Sequence, residues 1–503
     1  MKFFKFLLVF AILLASVFFA LGSTFPREKS SNSQIGLERT ECWFDKAIWD
    51  IFTRCYYMSV PEDHNDPNGR LIQFPVVYFK TTQVFSAKSP VLHLGGGGPG
   101  GPMYLDYPEA VGYTKLEHDD YSLNDGRDLI VIDVRGTGQA RPSLSCQDYV
   151  EIQYNLLNQN LSYREEWEKT VPAVLQCIDD YKRSGIDHNH YNSLAVAKDI
   201  SLLANELQPK KFILFGVSYG SVYAQIIAKR FPELVESMVL DSAAFPQIPM
   251  HEDYSGRILA PYEALYNHCS ILNTCDLSAS ETKTNIWAIY RELERNPIHV
   301  NVENYNTGEY LPAVLNGDRF IASIISGSYS MDIFYDMSAI LEELKQGRVA
   351  TFKLYFENYV SYLLNRQWGD ISALAHYCYE TKPFVDDEKM LTEIELLPAG
   401  YLRESTKYLY KANDFCDEME ITTADLSFAD AESIEVPTLF LQGKHDSITP
   451  LYDLQNQRHL FPNSQVLTYT TAHAVISAEP CAEISAGKFV KQPESTDLSC
   501  YDD

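Results

Sequence analysis

The sequence predicts an α/β protein: a mostly parallel, doubly wound sheet interrupted by a mainly helical cap. Three observations carry this. Short apolar runs end abruptly in glycine or an acidic residue, stretches of helical periodicity separate several of them, and strand signals become sparse between about 247 and 430 before returning at Val436. Short runs without polar alternation suit strands buried on both faces. Strand–helix alternation is the pattern of parallel strands joined by helical crossovers.

The elements follow in order. Residues 1–22 join Lys2 and Lys5 to an apolar run from Phe6 to Leu21, and Ala20-Leu21-Gly22 has the small-x-small shape of a cleavage site. They are expected to be a signal peptide. An uncleaved anchor would need about 20 apolar residues, and no later segment is apolar enough to span a bilayer, so no stable membrane insertion is expected after cleavage. Residues 23–54 read as an N-terminal leader, polar and loose up to about 40.

The first part of the core is expected over 55–246. Leu71, Phe74, Val76 and Tyr78 lie in a strand-like run; Pro90–Leu94 runs into Gly95–Gly101, and Leu129–Val134 into Arg135-Gly136-Thr137-Gly138. Ser193–Leu207 carries Leu194, Ala197, Ile200 and Leu203 at helical spacing. Phe212–Phe215 runs into Gly216, a helix follows over Tyr219–Lys229, and Met238–Leu240 ends in Asp241. The cap is expected over 247–430, with helices at Asn285–Glu294, Met331–Lys345 and Thr351–Leu364. Met331, Phe334, Met337 and Leu341 form a stripe suited to packing it. The second part of the core, 431–503, opens with Pro437–Leu441 and ends in a disulfide segment. An insertion so placed lies over the carboxyl ends of the strands, where open α/β sheets bind ligands.

Composition narrows the function. The 503 residues include 41 basic and 68 acidic ones, a net charge of −27. Such a chain is repelled by phosphate backbones, so no nucleic-acid partner is expected. With 46% hydrophobic residues the chain can bury a large core and is not of the disordered class. The ten cysteines (42, 55, 146, 177, 269, 275, 378, 416, 481 and 500) contain no CxxC pair. An even count in an exported chain points to disulfides, and pairing each cysteine with its sequence neighbour gives five short loops. Secretion or a periplasmic location is expected. Asn160-Leu161-Ser162 is a glycosylation sequon. His188-Asn189-His190 reads as a polar loop rather than a metal site, and neither metal nor cofactor is expected.

Chemistry centres on Gly216-Val217-Ser218-Tyr219-Gly220. A chain of this length yields about 0.2 such patterns by chance, so context decides. A strand precedes it and a helix follows, the setting in which GxSxG lifts a serine hydroxyl into the open. That hydroxyl needs a base, and the base a partner that fixes its tautomer. Asp446 follows the strand Pro437–Leu441, and His473 follows the strand-like run Gln465–Thr470. Both are therefore loop residues at strand ends, in the order serine, acid, histidine. Asp241 also ends a strand but falls only 23 residues after Ser218; it is a rival for the acid, with a structural role as the alternative, and His459 reads as surface. The oxyanion would take the amide of Tyr219 and one from Gly95–Gly101, with Gly98 the first choice and Gly97 the second. That loop lacks both GxGxxG and a P-loop lysine.

These segments resemble one family. His93-Leu94-Gly95-Gly96-Gly97-Gly98-Pro99-Gly100-Gly101-Pro102 is similar to the HGGPG-type loop of prolyl and tripeptidyl aminopeptidases among the α/β-hydrolases. Asp133–Gly138 resembles their D-x-R-G-x-G turn, Gly216–Ser221 their GGSYG(S/T) elbow, and Val60-Pro61-Glu62-Asp63-His64 their V-P-x-D-Y segment. Gln442–Pro450, Cys481 and Cys500 resemble the carboxyl-terminal region of the secreted enzymes. The departures are an extra glycine, Leu94 between His93 and the glycines, and Val217 where glycine is common. The resemblance implies an α/β-hydrolase fold, a Ser218–Asp446–His473 triad and release of residues from the free N-terminus of peptide substrates. Such an enzyme must hold a substrate ammonium, and Glu380 matches a C-x-(D/E) segment of the relatives. Two other readings stay open: an esterase with the same triad, and a binding protein on a hydrolase scaffold.

Overall fold

The computed structural model describes residues 25–500 except 27, 30–33, 46–51, 82, 84, 85, 87, 107–122, 124, 125, 210, 249–253, 274, 399, 412, 422–424 and 496. The expected signal peptide, 1–22, lies outside the described residues. Among the described residues, eleven strands are formed: β1 (Gly36–Thr40), β2 (Thr53–Pro61), β3 (Leu71–Phe79), β4 (Val91–Leu94), β5 (Leu129–Ile132), β6 (Phe212–Val217), β7 (Val235–Asp241), β8 (Ile298–Asn304), β9 (Glu309–Leu315), β10 (Thr438–Gly443) and β11 (Ser464–Tyr469). Nine of them make one sheet in the order β1-β2-β3-β5-β4-β6-β7-β10-β11. Pairing is antiparallel from β1 to β5 and parallel from there to β11.

Successive side chains of a strand point to opposite faces, and both faces of this sheet are covered. Phe212 and Leu214 of β6 pack with Val196 and Ile200 of the helix Ser193–Leu207 and with Val222 and Ile226 of the helix Gly220–Arg230. Ile213 and Phe215 pack on the other side with Ala482, Ala486 and Phe489 of the helix Pro480–Lys491. Two-sided burial is why β4, β5 and β6 read as continuous apolar runs.

The structure corrects the leader. Gly36–Thr40 is an edge strand paired antiparallel with β2, and Leu37 is fully buried. An edge strand needs only one apolar side, so Ile35-Gly36-Leu37 suffices within an otherwise polar stretch. All five expected disulfides are formed: Cys42–Cys55, Cys146–Cys177, Cys269–Cys275, Cys378–Cys416 and Cys481–Cys500. Closing such loops restricts the unfolded chain. Among the described residues no helix is long and apolar enough to cross a membrane.

Over the carboxyl end of the sheet lie helices from Tyr254–Tyr266 to Asn413–Glu418, and several of them build a second core. Phe334, Met337 and Leu341 lie inside it with Tyr262, Phe320 and Phe356, and Met331 packs at its margin. Two features differ from expectation. β8 and β9 form an antiparallel hairpin among the helices. The helices Gln147–Leu156 and Tyr163–Arg183 also belong to the cap side, although they precede residue 247. Val150 and Leu157 enter the cap core, and buried Arg319 donates to the carbonyls of Leu156 and Leu157 (2.9 and 2.6 Å) and to Glu166.

The D-x-R-G-x-G turn fastens the sheet to its surroundings. Arg135, 1% exposed, donates to both carboxylate oxygens of Asp199 (2.7 and 2.6 Å) and to the carbonyls of Glu62 and His190. Asp133 accepts from the amides of Met103 and Gln139 (2.6 and 2.8 Å), which anchors the chain just beyond the glycine loop.

Asp370 opens a cap helix and accepts from the amide of Cys146 (2.9 Å); burial pushes its carboxyl up to about 7. A carboxyl raised on folding binds its proton more tightly in the folded state, so its contribution to stability falls as pH rises from its unfolded value toward 7. Asp370→Asn keeps an acceptor and removes that titration. The variant's Tm relative to wild type should therefore rise by more than about 2 °C between about pH 5 and pH 8, read by thermal denaturation across that range.

Candidate active site

β6 ends at Val217 and the helix Gly220–Arg230 begins three residues later, so Ser218 occupies a sharp turn with φ +52°. The glycines on either side are required by crowding. A Cβ at Gly216 would lie 2.7 Å from the Gly220 carbonyl, and one at Gly220 would lie 2.1 Å from that of Leu94. Such a backbone outlier at a partly exposed serine makes Ser218 a candidate nucleophile. The hydroxyl of Ser221 braces the turn by donating to the Ser218 carbonyl (2.5 Å). Ser218 is partly exposed, and among the described residues its hydroxyl makes no hydrogen bond.

Asp446 and His473 come together after β10 and β11. His473 Nδ1 donates to Asp446 Oδ2 at 2.9 Å, and the two residues are 6% and 4% exposed. The other Asp446 oxygen accepts from the amides of Ile448 and Thr449 (both 2.9 Å), and Thr449 Oγ1 donates to Oδ2 (2.8 Å). Burial opposes a charge here, but the hydrogen bond and the positive field from His473, with the Thr449 donors, outweigh it and hold the carboxyl below its usual range. Fixing Nδ1 as the donor leaves Nε2 as the basic nitrogen.

Asp241, the rival acid in sequence, takes a different place in the structure. Its carboxylate accepts from the amides of Val475 and Ile476 (2.8 and 2.9 Å), just beyond His473. The neighbouring Ser242 hydroxyl accepts from the Ala474 amide (2.9 Å), and the Ser242 carbonyl accepts from Thr449 Oγ1 (3.0 Å). The Asp241 carbonyl accepts from the Ser218 amide (2.9 Å). One dipeptide at the end of β7 thus joins the serine turn, the aspartate loop and the histidine loop. Burial pushes the Asp241 carboxyl up to about 6, against the pull of the two amides. Asparagine at this position would set an N–H against one of those amides. Asp241→Asn should lower kcat about 10²-fold through a displaced imidazole, with KM within a few-fold of wild type in steady-state kinetics.

Ser218 opens into a cavity of about 370 Å³ whose walls include Gly98, Phe245, Ile258, Ile325 and Glu380. Glu380, 5% exposed, sits at the first turn of the helix Ser193–Leu207, where the helix dipole favours an anion. It accepts from the amide and hydroxyl of Ser193 (2.5 and 3.1 Å) and from the Tyr219 hydroxyl. Burial, reinforced by the Glu380 charge, raises the Tyr219 phenol well above its ordinary value and keeps it a donor. The Tyr219 amide lies at the start of the helix after Ser218.

In the glycine loop, Gly96 packs against the Ser218 turn. A Cβ there would meet the Val217 carbonyl at 3.0 Å and Ser218 Cβ at 3.2 Å. A Cβ at Gly97 would face Trp368, and one at Gly98, the first choice from sequence, would meet nothing within 4 Å. Gly98 instead lines the cavity into which Ser218 opens. Elsewhere, His459 bonds the Asn456 carbonyl at the surface. His188 is buried, with burial pushing its imidazole down to about 4, while His190 Nε2 lies 3.3 Å from Asp187. His268, Cys269 and Cys275 lie close together, but both sulfurs are committed to a disulfide.

Two family models match segments of this chain. The alpha/beta hydrolase fold family matches residues 96–267, and the TAP-like protein family matches residues 404–500. Serine protease Hip1 of Mycobacterium tuberculosis is 24% identical over 447 residues, 84% of this chain and 82% of that protein. Tripeptidyl aminopeptidase of Streptomyces lividans is 27% identical over 218 residues, covering 42% of this chain and 39% of that one. Putative hydrolase YuaR of Escherichia coli is 26% identical over 206 residues, 40% and 38% of the respective chains. Sheet order, the turn at Ser218 and both matched segments agree: the chain has the α/β-hydrolase fold and is similar to serine peptidases and TAP-like proteins of that fold.

Proposed function

We propose that this serine peptidase is an exported exopeptidase that releases residues, singly or as di- or tripeptides, from the free N-terminus of peptides. Ser218 attacks the scissile carbonyl. His473 takes its proton and passes it to the leaving amine, and Asp446 holds the imidazole in its tautomer and offsets its charge. The Tyr219 amide and one from Gly96–Gly98 stabilise the oxyanion. Water then hydrolyses the acyl-enzyme by the same proton path. The five disulfides support export to an oxidising compartment.

One observation carries the exopeptidase reading: a buried carboxylate, Glu380, shares the cavity of the nucleophile. A peptide ammonium is the natural counter-ion for an anion so placed, whereas an oxoester offers it none. Of the relatives, the tripeptidyl aminopeptidase carries a name that points the same way. The test compares aminoacyl and tripeptidyl anilides with their N-acetylated forms and with short acyl esters. Acetylation is expected to abolish turnover of the anilides. Equal turnover with a free or blocked amine would instead favour the esterase.

A further inference from the structure

A second cavity, of about 410 Å³, reaches His473; its walls include Tyr329, Asp332, Tyr335, Thr471, His473 and Glu479. Ser218 is not among its lining residues, and His473 is not among those of the first cavity. Tyr329 lines both. Its ring meets the His473 ring edge-on with centroids 5.0 Å apart, and its carbonyl accepts from the His473 amide (3.2 Å). The Tyr329 turn, between the cap helices Gly317–Gly327 and Asp332–Lys345, therefore divides the space over the triad in two.

We infer that this second cavity receives the downstream part of the peptide, the part that leaves, and that its two carboxylates favour positive charge there. The inference rests on the peptidase reading above. In the acylation step the Ser218 Oγ–carbon bond forms and the carbon–nitrogen bond breaks. The serine proton travels through the imidazole to the departing nitrogen, so that nitrogen lies within hydrogen-bond reach of the ring. Residues upstream of the bond stay with Ser218 and Glu380, and residues downstream must leave past the imidazole. Cavity lining follows the same division. His473 is itself 6% exposed, and Nε2 hydrogen-bonds to none of the described residues.

Charge supplies the selectivity. Asp332 and Glu479 line the cavity, and no lysine or arginine does. Asp332 accepts from the Ser330 hydroxyl (2.9 Å), and the Glu479 carboxylate has no hydrogen bond or ion pair among the described residues. Neither charge is neutralised, so both act on whatever occupies the space. Screening limits them to groups within about 8–10 Å, which confines the effect to the first residues after the scissile bond.

The test uses free-N-terminus peptides identical up to the bond that product mass spectrometry shows to be cut, with Lys, Gln or Glu immediately after it. Wild-type kcat/KM should favour Lys over Glu by about tenfold at low salt, with Gln between them, and the preference should shrink at high salt. In the double variant Asp332→Asn, Glu479→Gln the Lys-to-Glu ratio should approach one. Rates are compared as ratios to the Gln peptide on the same enzyme, so partial misfolding cancels. Equal wild-type rates on the three peptides would overturn the inference while leaving the peptidase reading intact. So would a Lys preference that survives in the double variant. If even the free-amine anilides are not turned over, both readings fail together.

Discussion

Ser218→Ala is expected to lower kcat by at least ~10⁴-fold with no change in fold. The size follows from what is removed. The other triad members act only through this oxygen, so the variant keeps at most the contribution of substrate binding and the oxyanion amides. The fold should be untouched because the hydroxyl bonds to none of the described residues, and the turn is set by Gly216, Gly220 and Ser221. Alanine meets the same left-handed backbone penalty at φ +52° that serine already bears. Steady-state kinetics on an anilide, with circular dichroism as the check on folding, measures the effect. A fluorophosphonate probe should label the wild type and not the variant. An unlabelled but folded wild type would point instead to a binding protein on a hydrolase scaffold, and a variant that retains more than a few per cent of activity would place the nucleophile elsewhere.

The sequence disclosed the parts of the site that rest on strand ends. A strand buried on both faces is a short apolar run, and the residue just past it is a loop residue at the rim of the sheet. That logic singled out Ser218, Asp446 and His473 as candidates, and the second and third of these meet at 2.9 Å. It did not disclose what Asp241 does, because a carboxylate accepting amides 234 and 235 residues away leaves no local signal. The glycine loop left its register open for a related reason. Four consecutive glycines give no side chain by which to set the register, and only packing shows that Gly96 is the one pressed against Ser218. The cap boundary was invisible too. Helices before residue 247 join the cap through Arg319, and one buried guanidinium looks in sequence like any other arginine. The β8–β9 hairpin was within reach: Ile298, Val300 and Val302 alternate with His299, Asn301 and Glu303, a period of two in a region otherwise of helical period.

Glu380→Gln should lower kcat/KM for free-amine substrates by about 10²-fold, the scale expected when one member of a desolvated, hydrogen-bonded charge pair is neutralised. Glutamine has nearly the same shape and still offers one oxygen to Ser193, so the turn Tyr377–Thr381 and its Cys378–Cys416 tether should persist. Two roles must be separated. Glu380 lines the nucleophile's cavity, where an ammonium would sit. It also accepts from the hydroxyl of Tyr219, whose amide is a proposed oxyanion donor. If it acts by pairing with the ammonium, the loss falls on free-amine substrates, chiefly in KM, and the gap between free and acetylated forms narrows. If it acts by positioning Tyr219, kcat falls by the same factor for free, acetylated and ester substrates, because each passes through the same oxyanion. Measuring kcat and KM for matched free, acetylated and ester substrates on wild type and variant decides between them. A uniform fall in kcat would leave the buried carboxylate as a brace for the nucleophile turn and take away the chief support for an exopeptidase.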